Sequence, residues 1–348
     1  MPDVLRDDVE TALNDSAIVW DRFRGATVLV TGATGTIGNG IARVLCAANV
    51  SKDLDLIVVA QGRDVVKGRR LEAELGARFL AADVRELSPA TSGLDKVDFV
   101  FHTAGVTSSA RMVASPEEVL ATAVDGTRNV LDLAVELGAS GVACVSSMEV
   151  YGRGLSGAVA ETDLGFLDPD DPRSSYPEGK RRAEALSAAY ATEYDLRTTN
   201  ARLGLTFGAG VPNDPANTRV PLQFARSVLA RRDIELHTDG AGLTNVCYLA
   251  DAVRALLLLA TKGAAGEAYN VANSQASMTI REMAEVVARE VAGGTINVVV
   301  KPPEDIASRG YAPPSSHRLA TDKIRALGWE PRYGMAAMYQ RMIASWRS

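Results

Sequence analysis

A glycine-rich stretch at residues 31–38 sets the strongest limit on what this chain can fold into. It follows the apolar run 26–30, typical of a buried parallel strand, and precedes apolar positions at helical spacing. In that context glycines permit a tight turn, close approach of the backbone to a pyrophosphate, and close packing of the helix on its strand. The free N–H groups at the helix start attract phosphates. The predicted dinucleotide contacts are Gly32, Thr34, Gly35, Thr36, Ile37 and Gly38.

Strand-like and helix-like segments alternate after this stretch. The apolar patterns predict further strands at 56–60, 78–82, 97–102, 141–146 and 198–203. They predict the main helices between them at 64–75, 116–137 and 176–194. Such alternation indicates an α/β fold of the Rossmann type, a doubly wound parallel sheet with its ligands beyond the carboxyl ends of the strands.

The pattern changes after residue 204, where a Gly-, Pro- and Asn-rich loop begins. We predict an N-terminal helical extension over 1–24 and a dinucleotide-binding domain formed by 25–204 and 245–272. A smaller C-terminal substrate-binding lobe would combine 205–244 with 273–348. Within it, residues 278–348 predict three helical segments separated by proline pairs.

Composition excludes several classes of partner. With 47% hydrophobic and 23% charged residues and a net charge of −6, the chain is a globular protein without the basic surface that nucleic acids or anionic membranes attract. The 3 cysteines and 3 histidines show no metal-ligand spacing, so no metal is expected. The acidic N-terminus lacks a signal-peptide core, and the apolar run 255–260 is too short to span a bilayer. We therefore expect a cytoplasmic protein.

The strand ends supply further cofactor contacts. No acidic residue ends the second strand, and Arg63 either faces the 2′-phosphate of NADP or is a solvated loop residue, so NAD and NADP both remain open. Asp83, followed by Val84, is placed to contact an adenine amino group or to cap the next turn. The small residues Thr103, Ala104 and Gly105 leave room for a nicotinamide ribose.

Tyr176 and Lys180 carry the clearest chemical signal. Residues four apart share one helix face, and an ammonium beside a phenol stabilises the phenolate. Tyr176 would then take a hydroxyl proton while hydride leaves the same carbon, with Lys180 also holding the nicotinamide ribose. Ser147, at the end of the fifth strand, would hydrogen-bond the reacting oxygen or cap the strand end.

These motifs, with Arg202, Gly208 and the segment 327–331, resemble the extended short-chain dehydrogenase/reductase family. The likeness covers about residues 25–345 and points to its NAD-dependent epimerase/dehydratase branch, which modifies nucleotide sugars. The resemblance implies transient oxidation at sugar C4, NAD as cofactor, and a homodimer that pairs helices 116–137 and 176–194.

Glu149 and Met148 narrow the reaction that the resemblance implies. A glutamate at this position is similar to 4,6-dehydratases and uronic-acid decarboxylases, whereas Met148 stands where dehydratases carry an acidic aspartate. The run 176–181 is similar to UDP-glucuronate decarboxylases. We therefore expect Glu149 to assist C5/C6 chemistry after oxidation, with a decarboxylase-like or dehydratase-like outcome ahead of epimerisation.

Two positions depart from the family pattern. Leu205 replaces a usual asparagine and Thr244 a usual arginine, both of which contact diphosphate oxygens in the family. This favours as an alternative a reductase or dehydrogenase of a smaller substrate; a regulatory protein on the same fold is a further alternative. The expected substrate contacts are Thr107, Ser147, Met148, Arg202, Arg219, Arg226 and Arg309.

Overall fold

A seven-stranded parallel sheet forms the centre of the protein in the computed structural model, which describes residues 1–302 and 315–347. Its strands are β1 (Thr27–Thr31), β2 (Ile57–Gly62), β3 (Arg78–Ala81), β4 (Phe99–His102), β5 (Gly141–Ser147), β7 (Thr198–Leu203) and β11 (Glu267–Val271). The first-half helices are α1 (Asp3–Leu13), α2 (Thr36–Lys52), α3 (Val65–Leu75), α4 (Pro89–Ser92), α5 (Ser109–Ala114), α6 (Pro116–Glu136) and α7 (Ser175–Tyr194).

Smaller sheets and further helices complete the fold. The remaining strands are β6 (Ser156–Val159), β8 (Leu205–Phe207), β9 (Ile234–Leu236), β10 (Leu243–Tyr248), β12 (Asn273–Thr279), β13 (Val298–Val300) and β14 (Ser316–Leu319). The remaining helices are α8 (Val220–Ala230), α9 (Leu249–Lys262), α10 (Ile280–Val286), α11 (Asp322–Arg325) and α12 (Met335–Arg347). Short helical turns lie at Trp20–Phe23, Val84–Glu86, Met148–Tyr151, Pro172–Ser174 and Val287–Val291.

The strand order places the ligand crevice. The sheet runs β11-β7-β5-β4-β1-β2-β3, and every pairing is parallel. Because β1 pairs with β2 on one side and with β4 on the other, the winding direction reverses beside β1. In doubly wound sheets ligands bind outside the carboxyl ends of the strands at this switch point.

The N-terminal extension is bound to the rest of the chain by charge. Arg341 of α12 lies within 2.7 Å of Asp7 and 2.6 Å of Asp8, both on α1. Arg254 of α9 is ion-paired with Asp15 and, at 2.7 Å, with Asp251. These contacts fix residues 1–24 against two helices that follow far later in the chain.

The predicted fold class is confirmed, and most elements of the large sheet lie within two residues of their predicted bounds. The C-terminal part differs from the prediction of three helical segments, because β12, β13 and β14 also occur there. The predicted domain boundary at residues 244 and 245 falls inside β10, and the division into domains stays a prediction. Within 1–302 and 315–347, no helix combines the length and apolarity needed to cross a membrane.

Candidate active site

The glycine turn between β1 and α2 has the geometry that a bound dinucleotide needs. Gly32 has a φ of +67°, and a Cβ there would lie 2.8 Å from the Ala104 Cα atom. A Cβ on Gly38 would lie 2.5 Å from the Gly32 carbonyl oxygen. A larger residue at either position would therefore displace the backbone. Glycine at both positions lets the turn lie close to the end of β4.

The start of α2 is open towards the adjacent cleft. Gly35 is the N-cap residue and supplies no side-chain cap, so the first N–H groups of the helix are available to phosphate oxygens. Gln61 braces the turn, because its side-chain oxygen accepts from Gly32 N at 3.2 Å while its amide donates to Ala82 O at 2.6 Å. The cleft has a volume of about 410 Å³. Of the predicted cofactor contacts it is lined by Gly32, Thr34, Gly35, Arg63, Asp83, Val84, Thr103, Ala104 and Gly105.

Charged groups surround the outer end of this cleft. Arg63 lies 3.6 Å from Asp83 and 3.9 Å from Glu118. Asp83 also caps the turn after β3, accepting from Arg85 N at 2.9 Å, and its hydrogen bonds with Arg85 lower its pKa to about 2. Arg63 therefore faces carboxylates, so a 2′-phosphate entering here would meet negative charge. Thr36 and Ile37 form the first turn of α2 beside this cleft.

Tyr176 lies beside Ser147, the last residue of β5. Tyr176 is buried and hydrogen-bonded to the Ser147 side chain, while the Ser147 hydroxyl also accepts from Glu149 N at 3.2 Å. Burial, reinforced by the Glu149 charge, raises the Tyr176 pKa to about 12, whereas Arg219 and Arg173 act in the opposite direction. Ser147 thus caps the strand end, one of the two uses suggested by the sequence, while its contact with the reacting oxygen stays a prediction.

Lys180 lies one helical turn beyond Tyr176 and is buried. Its ammonium donates to Val145 O at 2.6 Å, and a Cβ added at Gly105 would lie 3.7 Å from Nζ. Burial lowers the Lys180 pKa. The ammonium therefore faces the cofactor cleft at Gly105. The cationic groups that lower the Tyr176 pKa are Arg219 and Arg173. From the sequence we had expected Lys180 to have this effect.

Glu149 is held in a two-pronged ion pair. Arg173 Nη1 donates to Glu149 Oε2 at 2.8 Å, and Nη2 donates to Oε1 at 3.3 Å. Arg173 stands in the short turn just before α7, and its side chain is 11% exposed. A guanidinium that binds both carboxylate oxygens fixes the direction of the carboxylate.

A second cavity of about 480 Å³ opens beside Glu149. Met148, Glu149, Arg173 and Thr244 line it, together with segments of β9, β10 and β14. Arg219 is half-buried, donates to Thr206 O at 3.2 Å, and its charge acts on both Tyr176 and Glu149. It therefore lies at the reacting end of the site rather than at a remote diphosphate.

Arg202 lines neither cavity, and its predicted substrate contact stays a prediction. Its buried guanidinium instead binds Glu184 at 2.7 Å, the Tyr151 hydroxyl at 3.0 Å and Glu161 O at 2.8 Å. A cation at the end of a central strand is enclosed by the elements packed on it, so its partners are internal.

The other predicted substrate residues are placed as follows. Arg226 directs its donors at the loop before α8, binding Asn213 Oδ1, Asn217 O and Asp214 O, and its substrate role stays a prediction. Thr107 is exposed in the loop after β4. Leu205 begins β8 and Thr244 is buried in β10. Arg309 lies outside the described residues.

Sequence reasoning missed Arg173 and Gln61. Arg173 precedes Tyr176 by three residues, and that spacing beside an acidic strand-end residue was the available signal. Gln61 gave none, because its partners Gly32 and Ala82 are distant in sequence. In the part of the chain that the structure covers, no group of three or more His, Cys, Asp or Glu side chains is placed to hold a metal ion.

Comparison with known proteins places this site in a family. A model of the NAD dependent epimerase/dehydratase family matches residues 28–272. UDP-glucuronic acid decarboxylase 1 of Arabidopsis thaliana is 27% identical over 324 residues, covering 92% of this chain and 70% of the relative. The dTDP-glucose 4,6-dehydratase DesIV of Streptomyces venezuelae, solved with NAD bound, is 25% identical with a TM-score of 0.72, covering 92% of this chain and 97% of that one. UDP-glucose 4-epimerase of Thermotoga maritima has the same fold at a TM-score of 0.77 and 22% identity, covering 92% of this chain and 98% of that one.

Fold and family match together define an NAD-dependent Rossmann enzyme. The chain belongs to the NAD dependent epimerase/dehydratase family, which confirms the resemblance seen in its motifs. NAD is the cofactor of this family.

Proposed function

We propose that this protein oxidises the C4 hydroxyl of a nucleotide-linked sugar with NAD and then completes C5/C6 chemistry in the same site. The observation that carries the proposal is the hydrogen bond between Ser147 and Tyr176. Ser147 directly precedes Met148 and Glu149, which line the second cavity, and Lys180, one helical turn after Tyr176, faces the cofactor cleft at Gly105. A sugar held in the second cavity would meet the tyrosine hydroxyl on one side and the cofactor cleft on the other.

The cofactor cleft fits NAD. Crowding at Gly32 and Gly38 and the uncapped start of α2 supply close backbone approach and phosphate-binding N–H groups. Gly32, Gly35 and α2 would hold the pyrophosphate, while Lys180 beside Gly105 would hold the nicotinamide ribose. When bound, NAD supplies a hydride acceptor.

Tyr176 would act as the base for the C4 hydroxyl proton. Ser147 donates to or accepts from the reacting oxygen and so orients it. The pKa of Tyr176 is about 12 in the buried site although Arg219 and Arg173 lower it, so a further positive charge is needed to favour the phenolate. The charge of the cofactor's oxidised ring would act in the same direction.

A uronic acid is the substrate that the charges favour. Arg219 places a guanidinium beside Tyr176, where a C6 carboxylate would be neutralised, whereas Arg173 is already paired with Glu149. Met148 has no proton to donate to a leaving hydroxyl, and Glu149 is bound at both oxygens by Arg173. After C4 oxidation a C6 carboxylate is β to the ketone, so the C5–C6 bond can break, with carbon dioxide leaving and the electron pair moving into the C4 carbonyl as an enolate. The enolate would take a proton at C5 from water, and the C4 ketone would then be reduced again by return of the same hydride or be released. A decarboxylase-like outcome therefore leads, as the name of the Arabidopsis relative also suggests.

Product mass distinguishes the outcomes. Purified protein is incubated with NAD and a panel of UDP- and dTDP-linked hexoses and uronic acids, and products are measured by mass spectrometry. Loss of carbon dioxide from UDP-glucuronic acid is expected. Loss of water would indicate dehydration, and unchanged mass with an altered NMR spectrum would indicate epimerisation. Turnover of no sugar nucleotide, with reduction of a small ketone instead, would refute the proposal.

We also propose that two copies pair through the outer faces of α6 and α7. Those helices pack side by side in one chain, and their outer faces expose Asp125, Arg128 and Arg182. Opposite charges on one face can pair across a two-fold axis. Light scattering coupled to size-exclusion chromatography would give a dimer mass, whereas a monomer at micromolar concentration would refute the pairing.

A further inference from the structure

One face of the catalytic helix is bonded to the end of β5. Tyr176, Lys180 and Glu184 are spaced four apart on α7, so their side chains lie in one row. All three bind residues 145–147 of β5: the tyrosine bonds the Ser147 side chain, and the lysine donates to Val145 O. The third contact is made by Glu184, which neither the motif nor the mechanism uses.

Glu184 joins the helix to two neighbouring strands. Ser146 Oγ donates to Glu184 Oε1 at 2.5 Å, while Arg202 donates through Nε to both oxygens at 3.0 and 3.2 Å and through Nη2 at 2.7 Å. Ser146 of β5 and Arg202 of β7 are direct partners in the sheet register. The carboxylate is therefore a fixed junction between α7 and the strand ends that carry the site.

The same contacts reach the turn that carries Glu149. Arg202 Nη1 donates to the Tyr151 hydroxyl at 3.0 Å, and Tyr151 donates to Asn270 Oδ1 at 2.6 Å. Tyr151 ends the short turn Met148–Tyr151. The side chains of Arg202 and Glu184 are only 7% and 12% exposed, so solvent screens their charges weakly.

Glu184 also supplies negative charge to the Lys180 ammonium. The titratable groups that act on Lys180 are Glu184 from its own helix, Cys144 from β5 and His102 from β4. Burial lowers the His102 pKa to about 3 and raises the Cys144 pKa to about 12, so both groups are neutral at pH 7. Burial lowers the Lys180 pKa, and Glu184 opposes that effect.

We propose that Glu184 is a positioning residue that places a carboxylate one helical turn from Lys180 and docks the Tyr176–Lys180 face of α7 onto the end of β5. The proposal rests on the proposed function for the role of Lys180 in holding the cofactor. The ion pair between Glu184 and Arg202 then has a functional role in addition to internal packing.

The test is Glu184→Gln, which keeps an amide oxygen for the Ser146 hydroxyl and removes the charge. NAD affinity is measured by titration calorimetry between about pH 6 and about pH 10, a range that brackets a shifted lysine pKa. The kcat is measured over the same range. We expect NAD to bind about tenfold more weakly at neutral pH, a loss of ~1.4 kcal/mol. The high-pH limit of NAD binding should move down by about one pH unit or more, with the sugar KM unchanged.

Asp132→Asn is the matched control. Asp132 accepts from the Tyr190 hydroxyl at 2.5 Å in the α6–α7 contact and is not among the groups acting on Lys180. Its variant should keep the wild-type NAD affinity and pH profile. A Glu184→Gln protein with the wild-type affinity and high-pH limit would overturn the proposal, even if its melting temperature fell.

Glu184→Asp keeps the test decisive if the glutamine variant does not fold. It retains the charge but shortens the reach to Ser146, so kcat should fall while the high-pH limit stays at its wild-type position. A downward-shifted limit in this variant would contradict the charge role. The NAD titration needs no sugar, so it tests Glu184 even where the wild-type enzyme turns over none of the sugar panel, the result that would refute the proposed function.

Discussion

Arg173 binds Glu149 at both carboxylate oxygens, with contacts of 2.8 and 3.3 Å. Arg173 lies three residues before Tyr176, which we propose as the base. The pair sets the charge beside Tyr176, because Glu149 raises the pKa of the phenol while Arg173 and Arg219 lower it. This opposition of charges within one site leads to a test of sign.

Substitutions at Glu149 and Arg219 should move the acidic limb of the kcat–pH profile in opposite directions. Glu149→Gln removes a negative charge and lowers the Tyr176 pKa, so the limb moves to lower pH. Arg219→Gln removes a positive charge and moves the limb to higher pH. Arg153→Gln is the control, since Arg153 lines the same cavity but pairs with Asp171 at 3.4 Å and is not among the groups acting on the tyrosine. Shifts of one sign in both test variants would contradict the assignment of Tyr176.

Gly32→Ala should abolish tight NAD binding, whereas Gly76→Ala should not. Both glycines have positive φ, +67° and +74°, so the backbone strain of ~1–2 kcal/mol is matched. Only at Gly32 would the new Cβ strike backbone, 2.8 Å from Ala104 Cα, while nothing lies within 4 Å at Gly76. We expect Gly32→Ala to raise the NAD Kd at least about tenfold in calorimetric titration. Equal affinities in two variants of equal melting temperature would show that the turn does not contact the cofactor.

NAD should be preferred over NADP. The 2′-phosphate of NADP would approach Arg63, but Asp83 and Glu118 stand 3.6 and 3.9 Å from that guanidinium. Arg63→Ala should change the NAD Kd by less than about fivefold, since exposed ion pairs are worth ~1 kcal/mol or less. Glu118→Gln should improve NADP binding relative to NAD. Tighter NADP binding in the wild-type protein would contradict this reading of the charges.

Arg254→Met should destabilise the fold strongly. It would leave Asp15 and Asp251 buried without their cation, at a cost of ~3–5 kcal/mol in the free energy of unfolding. Burial already raises the Asp251 pKa to about 6, so its contribution to stability is fully present below the ordinary carboxyl pKa and is lost as pH rises through 6. Urea unfolding should therefore show that Arg254→Met loses more stability, relative to the wild type, at about pH 8 than at about pH 5, on either side of that pKa.

An exposed pair provides the comparison for that variant. Arg289 and Glu290 are 67% and 47% exposed, so Arg289→Met should cost no more than ~1 kcal/mol. Similar losses in the two variants would mean that the N-terminal extension is not held by Arg254.

Local patterns explain why the large sheet was predictable. The bounds of β7 match the predicted 198–203, and α6 ends one residue before its predicted end, because apolar periodicity is written in neighbouring residues. β14 carried no such signal: it is a short strand that pairs with β6, and the partners Ser316 and Ser156 are far apart in the chain. Pairing at that separation depends on tertiary packing.

Site chemistry was predictable where spacing along one helix determines it. Tyr176 and Lys180 share a face by their separation alone, and the glycine turn follows from its flanking strand and helix. The ion pairs were not predictable in this way. Arg202 carries a charge at a strand end next to the site, but its partner Glu184 is fixed by how α7 crosses β5 and β7.

The most direct test of the account is turnover of UDP-glucuronic acid carrying deuterium at C4, compared between the wild-type protein and Tyr176→Phe. We predict slower C4 oxidation of the deuterated sugar, transfer of the label to the cofactor, and a kcat about 10²–10⁴-fold lower in the phenylalanine variant, as for loss of a proton-transfer group. Turnover with no C4 deuterium isotope effect and no label on the cofactor would contradict the account. A Tyr176→Phe enzyme with wild-type kcat would contradict it as well.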